Sequence, residues 1–321
     1  MTRVSALTIA SGRAEHLKNV IRGFQAQSHK PAELIVGVMQ DSDYTDLPAT
    51  NFPIRQIRVT GPELPLAAAR NAVADAATGD VLVFVDVDCI PARALIADYL
   101  EAMDGQSGLF MGEVMYLPKG ATDRGLDFDR FAAISVKHSD RQGPPAHGLE
   151  ACGDYRCFWS LNFAMHRADW LKGPRFDENF TGYGGEDTDF GRALSEQGTP
   201  IWWISGGRVY HQYHPHCMPP VHHLHSVLRN TEVFAAKWGH RTMEHWLYAF
   251  ELMGLIANTP RGLTVLREPG QAELELCAQQ AHMPYANSRR VIDHLKAELA
   301  GRQGDAALER AQKAMLQPAA E

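Results

Sequence analysis

Three short runs in this chain hold residue types that do chemistry. Asp86-Val87-Asp88 ends the run VLVFVDVD and is followed by Cys89-Ile90-Pro91. Two carboxylates so close repel each other unless something positive joins them, and oxygen ligands suit Mg²⁺ or Mn²⁺. The competing reading is a pair of solvated acids capping the next helix. Gly182-Tyr183-Gly184-Gly185-Glu186-Asp187-Thr188-Asp189 sets one aromatic among three glycines and runs into acids at a helix start. Glycine lets another molecule approach the backbone closely, and carboxylates ionise easily at a helix N-terminus. That pattern fits a sugar platform with a general base; a plain acidic N-cap is the bland alternative. Finally, His211, His214, His216, His222, His223 and His225 offer imidazole ligands, with Cys217 among them. A structural zinc site competes there, but it wants four regularly spaced ligands and only histidine is plentiful.

The elements that must position these residues follow from periodicity. Val81–Val85 is a continuous apolar run, as suits a strand buried on both faces of a parallel sheet. Acids at its carboxyl end fall where α/β sheets bind ligands, and Asp86 and Asp88 share a side if strand geometry persists through them. Val4–Ala10 reads as a strand, Ser11-Gly12-Arg13 as a turn open to an anion, and residues 14–27 as an amphipathic helix. Glu33–Met39 and Ile54–Val59 are further strands, and Leu64–Ala77 is an Ala-rich helix. This alternation predicts a doubly wound, mostly parallel sheet. A helix over 91–103, a strand over 109–116, a strand over 158–166, a helix over 186–197 and short strands at 201–204 and 208–210 follow. Residues 117–155, broken by Pro118, Pro144, Pro145 and several glycines, read as a loop-rich segment that closes over a ligand. Beyond Pro220 the apolar positions recur at helical spacing with no strands between them, and the last twenty residues are polar and fraying.

Composition narrows the partners. The chain has 321 residues, 45% of them hydrophobic and 21% charged, with a formal net charge of -7. That is an ordinary globular composition, and the negative charge, without a Lys/Arg run, argues against nucleic acid as a partner. Five irregularly spaced cysteines suggest a reducing compartment without a disulfide framework. No apolar run reaches membrane-spanning length and the N-terminus lacks a signal-peptide core, so the expected location is cytoplasmic.

Taken together, these motifs resemble nucleotide-sugar-dependent glycosyltransferases of the GT-A fold, family 2 and its galactosyl- and N-acetylgalactosaminyltransferase relatives, over about residues 4–215. VFVDVDCIP resembles the D-x-D strand of that fold, GYGGEDTDFGRAL its W-G-G-E-D motif, and VYHQYH its late metal-ligand strand. IASGRAEHLKNVI is similar to the donor-binding turn, and AARNAVADAATGD to the helix before the D-x-D strand. The resemblance implies a catalytic domain at 1–220, with a donor half to about 115 and an acceptor half beyond it, followed by a helical region at 221–321. It implies Asp88 as a ligand of Mn²⁺ or Mg²⁺, with His211 or His214 completing the site. Ser11, Arg13, Asp41, Arg70 and Asp86 would line the pocket of a nucleotide-sugar, with UDP as the expected nucleotide. Asp187 would be the general base of an inverting transfer to an acceptor hydroxyl, although related folds also run the retaining outcome. Glu186, Gly185 and Tyr183, the last in place of the usual tryptophan, would bind a carbohydrate or glycoconjugate acceptor. Peripheral membrane contact is open for residues 221–321. The alternatives are a sugar-nucleotide pyrophosphorylase, for which Ser11-Gly12-Arg13 is a short loop, and a non-enzymatic, zinc-stabilised binding module.

Overall fold

A computed structural model describes residues 2–61, 63–260, 262–280 and 283–315. In chain order the first half comprises β1 (Val4–Ala10), α1 (Ala14–Gln25), β2 (Glu33–Val38), β3 (Ile54–Arg58), α2 (Leu66–Ala76), β4 (Val81–Val85), β5 (Cys89–Pro91), α3 (Leu95–Ala102), β6 (Leu109–Met111) and β7 (Val114–Tyr116). Then come α4 (Phe128–Ile134), β8 (Val136–Lys137), β9 (Leu149–Ala151), β10 (Asn162–His166), α5 (Arg167–Lys172), α6 (Glu186–Glu196), β11 (Ile201–Ile204), β12 (Val209–His211) and α7 (Leu224–Trp238). The remainder is α8 (Glu244–Leu252), a hairpin of β13 (Ile256–Thr259) and β14 (Gly262–Val265), α9 (Gln271–Cys277) and α10 (Ser288–Met315).

The main sheet has eight strands in the order β3-β2-β1-β4-β10-β6-β11-β9. β1 pairs in parallel with both β2 and β4, so the chain reverses direction of growth between them. Strands β1, β2 and β4 are buried along their whole length; β4 shows this as an unbroken apolar run, whereas β1 buries Ser5 and Thr8 and β2 buries Glu33 among their apolar residues. One apolar cluster packs the Leu17, Val20, Ile21 and Phe24 face of α1 on this sheet. Another packs Ala67, Ala69 and Val73 of α2 together with Leu7, Ile35 and Phe84.

A second sheet, in the order β5-β12-β7-β8, begins where the first ends. Three segments cross from one sheet to the other: β4 into β5, β6 into β7, and β11 into β12. The strand expected over 109–116 is therefore two strands, broken at Gly112-Glu113. A Cβ on Gly112 would collide with the Gly207 carbonyl and the Asn162 amide, so glycine permits the close approach that lets both chains turn together. Asn162 Nδ2 donates to the Gly207 carbonyl oxygen at 2.6 Å and fixes the crossing. Strand geometry likewise stops at Val85: Asp86–Cys89 forms a turn in which Cys89 N donates to the Asp86 carbonyl at 2.9 Å. Pro91 closes β5, and the helix expected from it begins only at Leu95.

The chain divides into two compact units: residues 1–214, 225–242 and 280–285 form one, and residues 215–224, 243–279 and 286–321 the other. The first therefore takes in α7 from residue 225, which apolar spacing alone grouped with the C-terminal helices. The second has its own core, including Leu247, Phe250, Leu255, Ile256, Cys277 and Val291. It also holds the β13–β14 hairpin, an element that helix-period spacing did not reveal. The expected helix near 272–281 ends at Cys277, and its Ala281 lies outside the described residues, as do residues 316–321 of the tail. Between Pro118 and Tyr155 the loop-rich segment contains α4, β8 and β9; Asp127 caps α4 by accepting from Arg130 N at 3.0 Å.

Candidate active site

The adjacent carboxyl ends of β1 and β4 bring Arg13 and Asp88 together. Arg13 sits in left-handed backbone at φ 45°, a conformation costly for a residue with a side chain. Its neighbours hold it there. Tyr44 Oη donates to the Gly12 carbonyl at 2.6 Å, and Gly12 N donates to Gln40 Oε1 at 2.8 Å. Arg13 Nη1 then reaches Asp88 Oδ2 at 2.5 Å. Asp41, expected in the nucleotide pocket, is exposed, and its backbone carbonyl accepts from Arg58 at 3.4 Å. The acid-rich second loop serves the first turn through Gln40 and Tyr44 instead. Ser11 is half-buried at the end of β1.

β12 returns beside β5 and delivers two imidazoles to the same carboxylate. His211 Nε2 lies 3.6 Å from Asp88 Oδ1 and His214 Nε2 lies 3.3 Å from Asp88 Oδ2. One ligand atom from each of the three residues falls within 4.8 Å of the others. The expected choice between His211 and His214 dissolves in this geometry, because both converge. A carboxylate with two imidazoles is a donor set that could hold a divalent metal ion. Burial pushes the Asp88 carboxyl up, but His211, His214 and Arg13 outweigh it and hold it well below the usual range. Gln212, between the two histidines in sequence, fastens the strand by donating from its backbone N to the Asp88 carbonyl at 2.6 Å.

Asp86 faces elsewhere. Arg70, a buried residue of α2, donates to Asp86 Oδ1 at 3.2 Å and to Glu186 Oε1 at 3.1 Å. Its guanidinium is thus committed to two carboxylates and joins the D-x-D turn to the first residue of α6. Burial drives Asp86 up to about 6 against the pull of Arg70. Asp187, the next residue of α6, is driven up to about 7 by burial and then by the Glu186 charge, with Arg70 opposing. Its Oδ1 accepts from Thr188 N at 2.7 Å.

The glycine loop before α6 is held by α7. Gly182, Gly184 and Gly185 all have positive φ, at 76°, 95° and 93°, which favours glycine at each. Asn230 Nδ2 donates to the carbonyls of Thr181 at 3.0 Å and Gly184 at 2.8 Å, and Tyr183 N donates to Ser226 Oγ at 3.2 Å. Lower on the same helix, Lys237 and Trp238 satisfy the buried Asp189, at 2.8 and 2.7 Å. These α7 residues were not legible as site residues. The available signal was the acid run itself, since a helix with three acids in its first turn and one fully buried needs a cation from another element. His216, His222, His223 and His225 are not part of the Asp88 cluster; His222 and His223 fall in a single helical turn.

Residues 5–164 match the family model described as glycosyl transferase family 2. Chondroitin synthase of Pasteurella multocida (strain Pm70) is 26% identical over 184 residues, covering 50% of this chain and 19% of that protein. Validoxylamine A glucosyltransferase of Streptomyces hygroscopicus subsp. jinggangensis (strain 5008) is 46% identical over 44 residues, 14% of this chain and 10% of that protein. The chain thus spans a fifth or less of the length of these relatives. Among solved structures, GalNAc-T7 with UDP, GalNAc and Mn²⁺ superposes with a TM-score of 0.49 at 16% identity, over 66% of this chain and 44% of that one. No helix among the described residues is long and apolar enough to cross a membrane. The family match goes against both the pyrophosphorylase and the binding-module alternatives. Residues 5–164 form a glycosyl transferase family 2 domain.

Proposed function

We propose that this glycosyltransferase moves a sugar from a UDP-linked donor to a carbohydrate or glycoconjugate hydroxyl, with Mn²⁺ and with inversion. The observation that carries the reading is the convergence of Asp88, His211 and His214, one salt-bridged relay, Asp86–Arg70–Glu186, away from Asp187. Asp88, His211 and His214 would hold the ion. When bound, it supplies positive charge to the donor diphosphate and to the leaving nucleotide. Ser11, Arg13 and Asp86 are assigned to the nucleotide, with Asp41 at its outer edge, and Arg70 positions Asp86 and Glu186 from beneath. The donor lies against about residues 1–115 and the acceptor against 116–220, with α7 added to that half.

Asp187 is the base. A carboxyl raised to about 7 is matched to proton abstraction near neutrality. It takes the acceptor proton as the hydroxyl oxygen attacks the anomeric carbon from the face opposite the leaving nucleotide. Glu186 and the Gly185 backbone orient the acceptor, and Tyr183 offers its ring to a sugar face. Tyr183, too, titrates above its ordinary range because of burial and the neighbouring Glu186 and Asp187 charges, so it acts as a neutral phenol.

Calorimetry of UDP binding with Mn²⁺ tests this. Wild type binds UDP in a metal-dependent way, Asp88→Ala loses that dependence, and Asp187→Asn binds UDP normally but does not transfer sugar. Unchanged metal dependence in Asp88→Ala sinks the metal assignment, and turnover by Asp187→Asn sinks the base.

A further inference from the structure

Arg141 stands between β8 and β9, outside every role assigned above. Its guanidinium lies over two indole rings, 5.7 Å from the centroid of Trp159 and 5.1 Å from that of Trp203. All three of its nitrogens are buried and, among the described residues, have no hydrogen-bond partner. The neighbouring carboxylate is already taken: Glu113 is bonded by Lys137 at 3.0 Å and by Arg208 at 2.6 Å. Asp154 is likewise bidentate with Arg156. The groups that face Arg141 are the phenols of Tyr116 and Tyr99 and the thiols of Cys89 and Cys157, which are neutral near pH 7. Around Glu113 the count is therefore three cations, Lys137, Arg141 and Arg208, for one anion. A buried guanidinium with five unmet N–H donors is an expensive arrangement unless an anion completes it.

We propose that Arg141 receives an anionic group of the acceptor sugar, a carboxylate or a phosphate, with the sugar ring against Trp159. This rests on the reading of the chain as a transferase acting on a carbohydrate acceptor. A surface cleft at this point is walled by Glu113, Lys137, His138, Arg141 and Gln142, and the half-buried Trp159 stands against His138, so charge and an aromatic face occur side by side. Arginine matches the planar fork of a carboxylate or phosphate, and indole faces suit a sugar ring. The place fits an acceptor, since Lys137, Trp159 and Trp203 all belong to the acceptor half. It also adjoins the metal cluster: Tyr116 stacks on His211 at 4.7 Å, and Cys89 follows Asp88. Residues 138–148 carry no helix or strand, and it is this segment that would have to shift to admit the anion.

Intrinsic tryptophan fluorescence tests this with methyl glucoside, methyl glucuronide and glucose 6-phosphate, with and without UDP and Mn²⁺. Wild type is expected to bind at least one anionic sugar about tenfold or more tighter than the neutral one; which one identifies the anion. Arg141→Gln loses that preference, Arg141→Lys keeps part of it, and both retain UDP–Mn²⁺ binding. Arg141→Gln should also melt no lower than wild type, because it removes an uncompensated buried charge. Equal affinities for all three sugars in wild type overturn the proposal. So does an Arg141→Gln protein that melts lower yet keeps the preference, since Arg141 is then only packing. A wild type that prefers the anionic sugar but ignores UDP–Mn²⁺ supports the Arg141 site while sinking the donor reading.

Discussion

Asp88 is contested by three basic side chains, and that competition sets the behaviour of the site. Arg13, His211 and His214 all approach its two oxygens. Any cation bound by Asp88 must come to terms with Arg13 for one of them. On the proposed metal reading, losing either histidine removes a ligand from a three-residue set. His211→Ala and His214→Ala should each weaken Mn²⁺ binding by about 100-fold or more, beyond what loss of an outer-shell partner usually costs. Manganese titration by paramagnetic relaxation measures this, and a histidine variant with wild-type affinity would remove that residue from the ligand set. Because two of the three donors are imidazoles, Mg²⁺ should support UDP binding less well than Mn²⁺.

At the scale of elements, α7 shows how a helix remote in sequence becomes part of a site. Ser226, Asn230 and Lys237 recur along one side of it and meet the glycine loop and α6 in turn. Lys237 neutralises Asp189, whose side chain is fully buried, and also reaches Asp177 at 3.0 Å. Lys237→Met should destabilise the protein by about 2 kcal/mol, below the figure for breaking a fully buried pair because a third of the lysine is in water. Urea denaturation measures it. The double variant with Asp189→Asn should recover part of the loss, because no buried charge is then left over. If Lys237→Met alone costs nothing, Trp238 is sufficient for Asp189.

For the whole molecule, the raised carboxyl of Asp187 couples stability to pH. A carboxyl whose folded pKa is about 7 but whose unfolded pKa is near 4 holds its proton longer in the folded state. Its contribution is fully present below about pH 4 and is lost as pH rises through about 7. Wild type should therefore lose stability relative to Asp187→Asn between pH 5 and 8, by on the order of 2 kcal/mol. Thermal melts of both proteins across that range measure the difference, and parallel curves would show an ordinary Asp187 carboxyl. Activity should run the opposite way, rising through the same window as the ionised base accumulates.

Local spacing alone identified β1, β2, β4 and α6 and drew attention to the D-x-D acids; it offered six histidines, and the family resemblance chose His211 and His214 among them. In each case the pattern is set within a few residues: a mostly apolar run for a doubly covered strand, or acids at a helix start. Chain folding decided what lies between distant residues. It split 109–116 at Gly112, because that glycine must touch Gly207. It spent Arg70 on Asp86 and Glu186 rather than on open solvent. It recruited α7 to a loop more than forty residues away, and it left Arg141 between two indoles without an acid. None of these has a local signature, because a partner's charge or a backbone's close approach becomes a constraint only once the elements are packed.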